Sequence, residues 1–367
     1  MAKKITMSDI AAAAGVSQST VSLVLNGSTS VKIAEATKRK VLETAESLGY
    51  KNKKVAHALG RPKKIALVIN GLTSYDPFID AINAAREEAW SNDYILVTFN
   101  YSHDEVLASK IESEINGGDY AGLVYASSMT RELEQQRVTT SLPTVLLNCT
   151  NEEHTETPSI LPADMIGAYK AVSHLTAQGY RRIAMLSGES WMLASKQRAD
   201  GYRQALIDAD IIPNSEYLVD ANWSLKEAHQ QTLALLNMEQ PPEAIFCGSD
   251  YMAMGCYQAI AELGLKIPQD VAVVGYDNQQ IASESFPALT SVELPYSDMG
   301  KLAIESLMAL IEGQPLLSNK RKVEGELIVR TSSTKTKKGG HVAHHNTQSR
   351  WSCSIAAAAS SKGRSAI

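Results

Sequence analysis

The chain has 367 residues, of which 44% are hydrophobic and 20% charged, an ordinary globular composition that excludes wholesale disorder and suits two or three domains. No run of about 18 apolar residues is present and the four cysteines lack CxxC spacing, which excludes a membrane-spanning helix, a disulfide framework and a cysteine zinc site. The net charge of −5 hides an asymmetry: residues 1–64 carry a net +8, residues 65–334 a net −19 and residues 335–367 a net +6. A basic head on an acidic body suggests a polyanion-binding module joined to a body that stays off polyanions, with a solvated lysine face as the plain alternative. The opening MAKKITMSDI has no apolar core of a secretory signal, so a reducing cytoplasm is the expected location.

The first 60 residues read as short helices. Thr6 and Asp9 have the spacing of an N-terminal cap ahead of Ile10–Ala14, and Gly15 ends that helix. Ser17 caps a second helix, Gln18 to Leu25, whose Val21, Val24 and Leu25 form an apolar face. A third helix, Glu35 to Leu48, places Val41, Leu42, Ala45 and Leu48 on one stripe, completing a mini-core. Two short helices joined by AGVS form a helix-turn-helix, a motif that lays its second helix in the DNA major groove.

From Lys64 apolar runs alternate with helical stretches: Ile65–Ile69, Tyr94–Phe99, Gly122–Ala126, Thr144–Cys149, Ile183–Leu186, Ala244–Cys247 and Val271–Tyr276. Uniformly apolar strands spaced by helices indicate parallel sheets covered on both faces, arranged as two similar α/β lobes. A dinucleotide-binding enzyme would need a glycine-rich turn after its first strand; the sequence there is NGLTSYDPF, with one glycine. GxSxG, P-loop and HExxH signatures are absent too, so no enzyme and no cofactor is expected.

The stretches ITMSDIAAAAGVSQSTVSLVLNG, KVLETAESLGY, KKVAHAL, RRIAMLSG, QRADGYRQAL, FCGSDYMAMG and IPQDVAVVGYDN, in this order, resemble the LacI/GalR family of bacterial transcriptional regulators from residue 5 to about 334. The resemblance implies a small all-α helix-turn-helix head (1–50), a hinge helix and linker (51–63), and a two-lobed α/β body of the periplasmic-binding-protein type (64–334). Lobe 1 is expected over about 64–162 and 295–322, and lobe 2 over about 163–294 and 323–334. The implied activity is operator-DNA binding, as a homodimer, by a repressor of a carbohydrate-utilisation operon that a small sugar switches. A sugar-binding or sugar-processing protein with an incidental basic head is the alternative.

By the same resemblance Gln18, Ser19 and Leu23 read bases. Gln18 suits an adenine edge, Ser19 is undiscriminating, and Leu23 offers apolar contact to a thymine methyl or else belongs to the mini-core. Thr6, Ser17, Asn26 and Thr37 match phosphate-gripping positions, while Ala34 replaces a usual capping serine. In the hinge, Val55 and Ala56 would pack on the partner's hinge, Leu59 matches the leucine wedged into the minor groove, and His57 stands where arginine is common. Asn52 replaces the usual proline. Ten residues are too few for a helix stable alone in water, so this one should order only over DNA.

Ligands of two-lobed folds sit in the cleft at the carboxyl ends of the strands. Phe78 is there a candidate apolar wall, Asn148 a donor and acceptor, and Ser249 and Asp277 polar strand ends; Tyr125 and Ser127 would line the first-lobe side. Arg198 matches the family's ligand-gripping arginine and Trp223 an aromatic that stacks on a sugar. Asp277 with Arg198 pairs an acceptor with a donor fork, suited to vicinal hydroxyls. LLNCTNEEHTETPSILPAD, around Asn148, is similar to sucrose-type regulators, which makes a disaccharide the first expectation. The basic, low-complexity residues 335–367 match nothing in the family pattern and are expected to be disordered; His341, His344 and His345 read as a solvated cluster, with no metal expected.

Overall fold

Reciprocal hydrogen bonds between Thr6 and Asp9 start the chain's first helix: Thr6 N–H donates to Asp9 Oδ2 at 2.8 Å and Asp9 N–H to Thr6 Oγ1 at 3.3 Å. The structure, a computed structural model, describes residues 5–25, 33–48, 50, 63–73, 76–133, 138–151 and 155–334. In the head these form α1 (Met7–Ala14), α2 (Gln18–Leu25) and α3 (Glu35–Ser47). Gly15, left-handed at φ 67°, ends α1 and lets Val16 N–H close on Ala11 O at 3.1 Å. Ser17 Oγ then accepts from Thr20 N–H at 3.1 Å to begin α2. Helices of eight residues do not persist alone in water, and here Ile10, Ala14, Val21, Leu25, Val41 and Ala45 bury one another.

Among the described residues the body has two six-stranded sheets. β1 (Lys63–Asn70), α4 (Ile79–Ser91), β2 (Tyr94–Asn100), α5 (Glu105–Gly117), β3 (Tyr120–Glu132), β4 (Thr144–Thr150) and β5 (Ser159–Pro162) build the first. The second follows in α6 (Asp164–Ala177), β6 (Ile183–Ser187), α7 (Leu193–Asp208), β7 (Leu218–Asp220), α8 (Leu225–Leu236), β8 (Ala244–Cys247), α9 (Asp250–Glu262), β9 (Ala272–Asp277), α10 (Gln280–Glu284) and β10 (Thr290–Glu293). α11 (Tyr296–Ile311) returns to pack on α4 and on β3, β4 and β5. β11 (Lys320–Val323) joins the first sheet and β12 (Leu327–Ile328) the second, in the orders β11-β5-β4-β3-β1-β2 and β12-β10-β9-β8-β6-β7. Among the described residues every pairing is parallel except β10 with β12. The chain thus passes between the sheets three times: after Pro162, after Glu293 and between Val323 and Leu327.

The seven expected strands are present, with β3 running on to Glu132 through a register shift between Ala126 and Arg131. The short strands β5, β7, β10, β11 and β12 have no counterpart in the sequence reading, because two to four residues carry no usable periodicity. Parallel strands place the carboxyl ends of β1, β3 and β4 opposite those of β6, β8 and β9 across the cleft, and the loops there carry the site.

Candidate functional site

The outer face of α2 presents Gln18 and Ser19, both exposed, with Ser22 and Leu23 half-exposed. This face is opposite Val21, Val24 and Leu25, and Leu23 is no part of the head's core cluster, so its isobutyl group faces outward. Ser17 and Thr6 are already employed as caps; Ser17 Oγ also lies 2.8 Å from Ser19 Oγ, and Thr6 Oγ1 donates to Asp9 at 2.6 Å. Thr37 is half-buried in the first turn of α3. Asn26, and with it Val55, Ala56, His57 and Leu59, lies outside the described residues.

In the second lobe Arg198 is the centre of a buried polar cluster. It is 4% exposed, donates Nε–H to Asp164 Oδ1 at 2.8 Å and Nη1–H to Gly248 O, and stands 3.7 Å from Asp277 Oδ1. Its guanidinium carbon lies 3.7 Å from the ring centre of Tyr276 and 5.5 Å from that of Trp223. Burial opposes its charge, but Asp164 first, then Tyr276 and Asp277, outweigh that and hold it charged beyond the ordinary arginine range. Burial pushes the Asp277 carboxyl up to about 7, partly offset by Arg198. Asp250, at the start of α9, accepts from Ser291 Oγ at 2.6 Å and Gln279 N–H at 2.7 Å. Its carboxyl too is raised, by burial first and by Asp277 second.

Trp223 donates its indole N–H to Met192 Sδ at 3.1 Å and lies over Gly188, where any Cβ would meet its ring. Ser249 Oγ accepts from Met252 N–H at 3.1 Å, capping α9. Asn148, Trp223 and Asp277 all have positive φ, at 60°, 57° and 108°. Backbone of this kind is disfavoured for residues other than glycine and clusters at ligand sites.

On the first-lobe side Phe78 has no exposed surface, and its ring meets Tyr296 edge-on with centroids 5.2 Å apart. Asn148 is fully buried: Nδ2 donates to Ser127 O at 2.9 Å, to Ser128 O at 3.1 Å and to Tyr296 Oη at 3.4 Å, while Oδ1 accepts from Thr130 Oγ1 at 2.7 Å. Asn148 therefore fastens the extension of β3, and Phe78 lies behind Tyr296, away from the surface. Tyr125 Oη is 2.8 Å from Tyr101 Oη, and Ser127 Oγ donates to Met129 O at 2.8 Å. Tyr125 and Ser127 line an inter-lobe cavity of about 900 Å³, whose far wall includes Trp191, Leu193 and Lys196 of the second lobe. Asp277 and Tyr296 line a separate pocket of about 310 Å³ with Asp76 and Gln279.

Residues 6–53 match the bacterial regulatory proteins of the lacI family, and residues 172–333 match the periplasmic binding protein-like domain. The HTH-type transcriptional repressor PurR of Mannheimia succiniciproducens is 31% identical over 335 residues, covering 90% of this chain and 99% of that protein. The chain belongs to the lacI family. It is a DNA-binding transcriptional repressor of that family, and the alternative of a sugar protein with an incidental head falls. Among solved structures, the lac repressor dimer bound to operator and the anti-inducer ONPF aligns with a TM-score of 0.68 at 26% identity, over 91% of this chain and all of that one. The complex of the transcriptional regulator CelR with cellobiose aligns at 0.66 and 25%, over 89% of this chain and 99% of that one.

Sequence reasoning brought this repressor's Arg198, Asp277 and Trp223 together and missed Asp164, Asp250, Tyr276 and Tyr296. Asp164 follows a proline–alanine pair that reads as a mere linker, and only the fold carries it to Arg198. Among the described residues no helix is long and apolar enough to cross a membrane.

Proposed function

We propose that a carbohydrate bound between the lobes switches this repressor on and off the operator of a carbohydrate-utilisation operon, and that the active species is a homodimer. The observation carrying the reading is the Arg198–Asp277 pair, a donor fork 3.7 Å from an acceptor, with the Trp223 ring beside it. Vicinal hydroxyls suit the pair and a sugar's C–H face suits the indole. The CelR–cellobiose complex, a relative with a disaccharide, supports the ligand class. Arg198 is buried here, so the lobes separate to admit ligand and close over it.

Tyr251, Ile281 and Phe286, exposed at 57%, 40% and 99%, are apolar residues on the second lobe for a partner to cover. A two-fold dimer matches a palindromic operator and doubles the bases read by Gln18, Ser19 and Leu23, with Thr6, Ser17, Asn26 and Thr37 on the phosphates. The hinge, with Val55, Ala56, His57 and Leu59, attaches to the first lobe, and lobe movement draws Leu59 out of the minor groove. The usual scale of such coupling is about 1–3 kcal/mol.

A gel shift with DNA upstream of the protein's own and neighbouring genes, titrated with mono- and disaccharides, tests this. A sequence-specific shift that a sugar alters, and that Leu59→Ala weakens, is expected. A shift that no sugar alters overturns the effector assignment, and tight binding by Leu59→Ala overturns the hinge mechanism.

A further inference from the structure

The inter-lobe cavity of about 900 Å³ has a chemistry of its own. Arg131, near the end of the β3 extension, reaches it from the first lobe, and Lys196, in the second turn of α7, from the second. Arg131 Nε is buried and has no hydrogen-bond partner among the described residues. Its guanidinium carbon stands 6.0 Å from the Trp191 ring centre, across the cleft. That atom is shut off from water, but the half-buried side chain lines the cavity, so its guanidinium brings positive charge there for an anion from outside to answer.

His103 adds a third donor. Asn70 Oδ1 accepts the His103 backbone N–H at 2.9 Å, which orients the amide so that its Nδ2 donates to His103 Nδ1 at 3.1 Å. With Nδ1 an acceptor, Nε2 carries the ring's hydrogen. Among the described residues the acid on this wall is Glu132, which alternates with Arg131 along β3 and is exposed to water. Trp191 and Leu193 flank the start of α7, a 16-residue helix whose first turn has no side-chain cap, so its partial positive end lies by the cavity.

We propose that this cavity holds the anionic group, a carboxylate or a phosphate ester, of a charged polyhydroxy effector. The inference rests on the reading of the cleft as the effector site and narrows its ligand class. Arg131 from one lobe and Lys196 from the other grip the same anion, so its binding draws the lobes together. A neutral sugar leaves the Arg131 and Lys196 charges unanswered and closes the cleft less completely.

The test is a thermal-shift and calorimetry series on the full chain with glucose, glucuronate and glucose 6-phosphate, and with sucrose and sucrose 6-phosphate, at constant ionic strength. The charged member of a set should bind about tenfold or more tightly than its neutral parent. Arg131→Met and Lys196→Met should each erase that preference while leaving the neutral sugar's weaker affinity in place. Lys196 is exposed, so its variant folds whatever Arg131→Met does. Glucuronate and phosphate arms separate the two anion sources. Equal affinity for neutral and charged members, or a preference that survives both substitutions, overturns the anion site and leaves the sugar reading standing. Failure of every sugar to bind overturns both, while operator binding is judged by its own gel shift.

Discussion

Asp164 Oδ1 lies 2.8 Å from Arg198 Nε, and neither side chain is more than 5% exposed. The pair joins the first residue of α6, where the chain enters the second lobe, to the middle of α7. It fixes the guanidinium so that its remaining edge faces Gly248 O and Asp277. Ion pairs this deep depend on both partners, because either one alone is an uncompensated buried charge.

Arg198→Ala therefore leaves Asp164 and Asp277 without their cation and should destabilise the body by about 3–5 kcal/mol. Denaturant unfolding of the full chain measures it. A loss below about 1 kcal/mol would mean that the cluster is not held by charge.

Asp277 gives a pH dependence whose sign is fixed by its raised carboxyl, about 7 in the folded protein against an ordinary 3.8. The folded state holds this proton more tightly than the unfolded chain does. Its contribution to stability is thus fully present below about 3.8, is lost as pH rises through about 7, and changes no further above that. Stability relative to Asp277→Asn should fall across that window. A ligand hydroxyl donating to the carboxylate favours the ionised form, so effector affinity should rise with pH over the same range. A pH-independent difference between parent and variant would refute the assignment.

Asn148 joins Ser127, Ser128, Thr130 and Tyr296 through a single amide. Asn148→Asp turns two donated bonds into carboxylate–carbonyl repulsion and should destabilise the first lobe more than Asn148→Ala, by roughly 1–3 kcal/mol for each unsatisfied group. Hydrogen exchange of the β3 extension, protected in the parent and open in Asn148→Asp, is the measurement.

On the DNA side, Gln18→Ala should cost about 1–3 kcal/mol at one base position and relax selection there. Leu23 faces outward free of the head's core, so Leu23→Arg should fold as well as the parent and move preference toward guanine. Operator selection from a randomised half-site reads both. Unaltered selection by both variants would mean that another surface reads the bases.

The head was legible because its signals are local. A Thr-x-x-Asp cap, Gly15 at a helix end, Ser17 before the next helix and an apolar face at i, i+3, i+4 act within a few residues of one another. The body's central strands were legible for a similar reason: a strand buried on both faces needs an apolar run, as in Val145–Leu147 of β4 and Ile183–Leu186 of β6. The same rule fails for β11, an edge strand reading KRKV and largely exposed, which only its pairing with β5 identifies as a strand.

For the site, sequence determined where Arg198, Asp277, Asn148 and Phe78 would lie, since strand ends and helix starts set position along the cleft. It did not determine what they would touch. Asp164 and Gly248, 34 and 50 residues from Arg198, are its hydrogen-bond partners, and Asn148 turned its amide inward to four neighbours. The place of Arg131 on the cavity wall depends equally on the register shift that carries β3 past Ala126. These features are set by desolvation. A polar group's partner is chosen by which groups the closed fold removes from water together, and that pairing spans the chain without leaving a periodic trace in it.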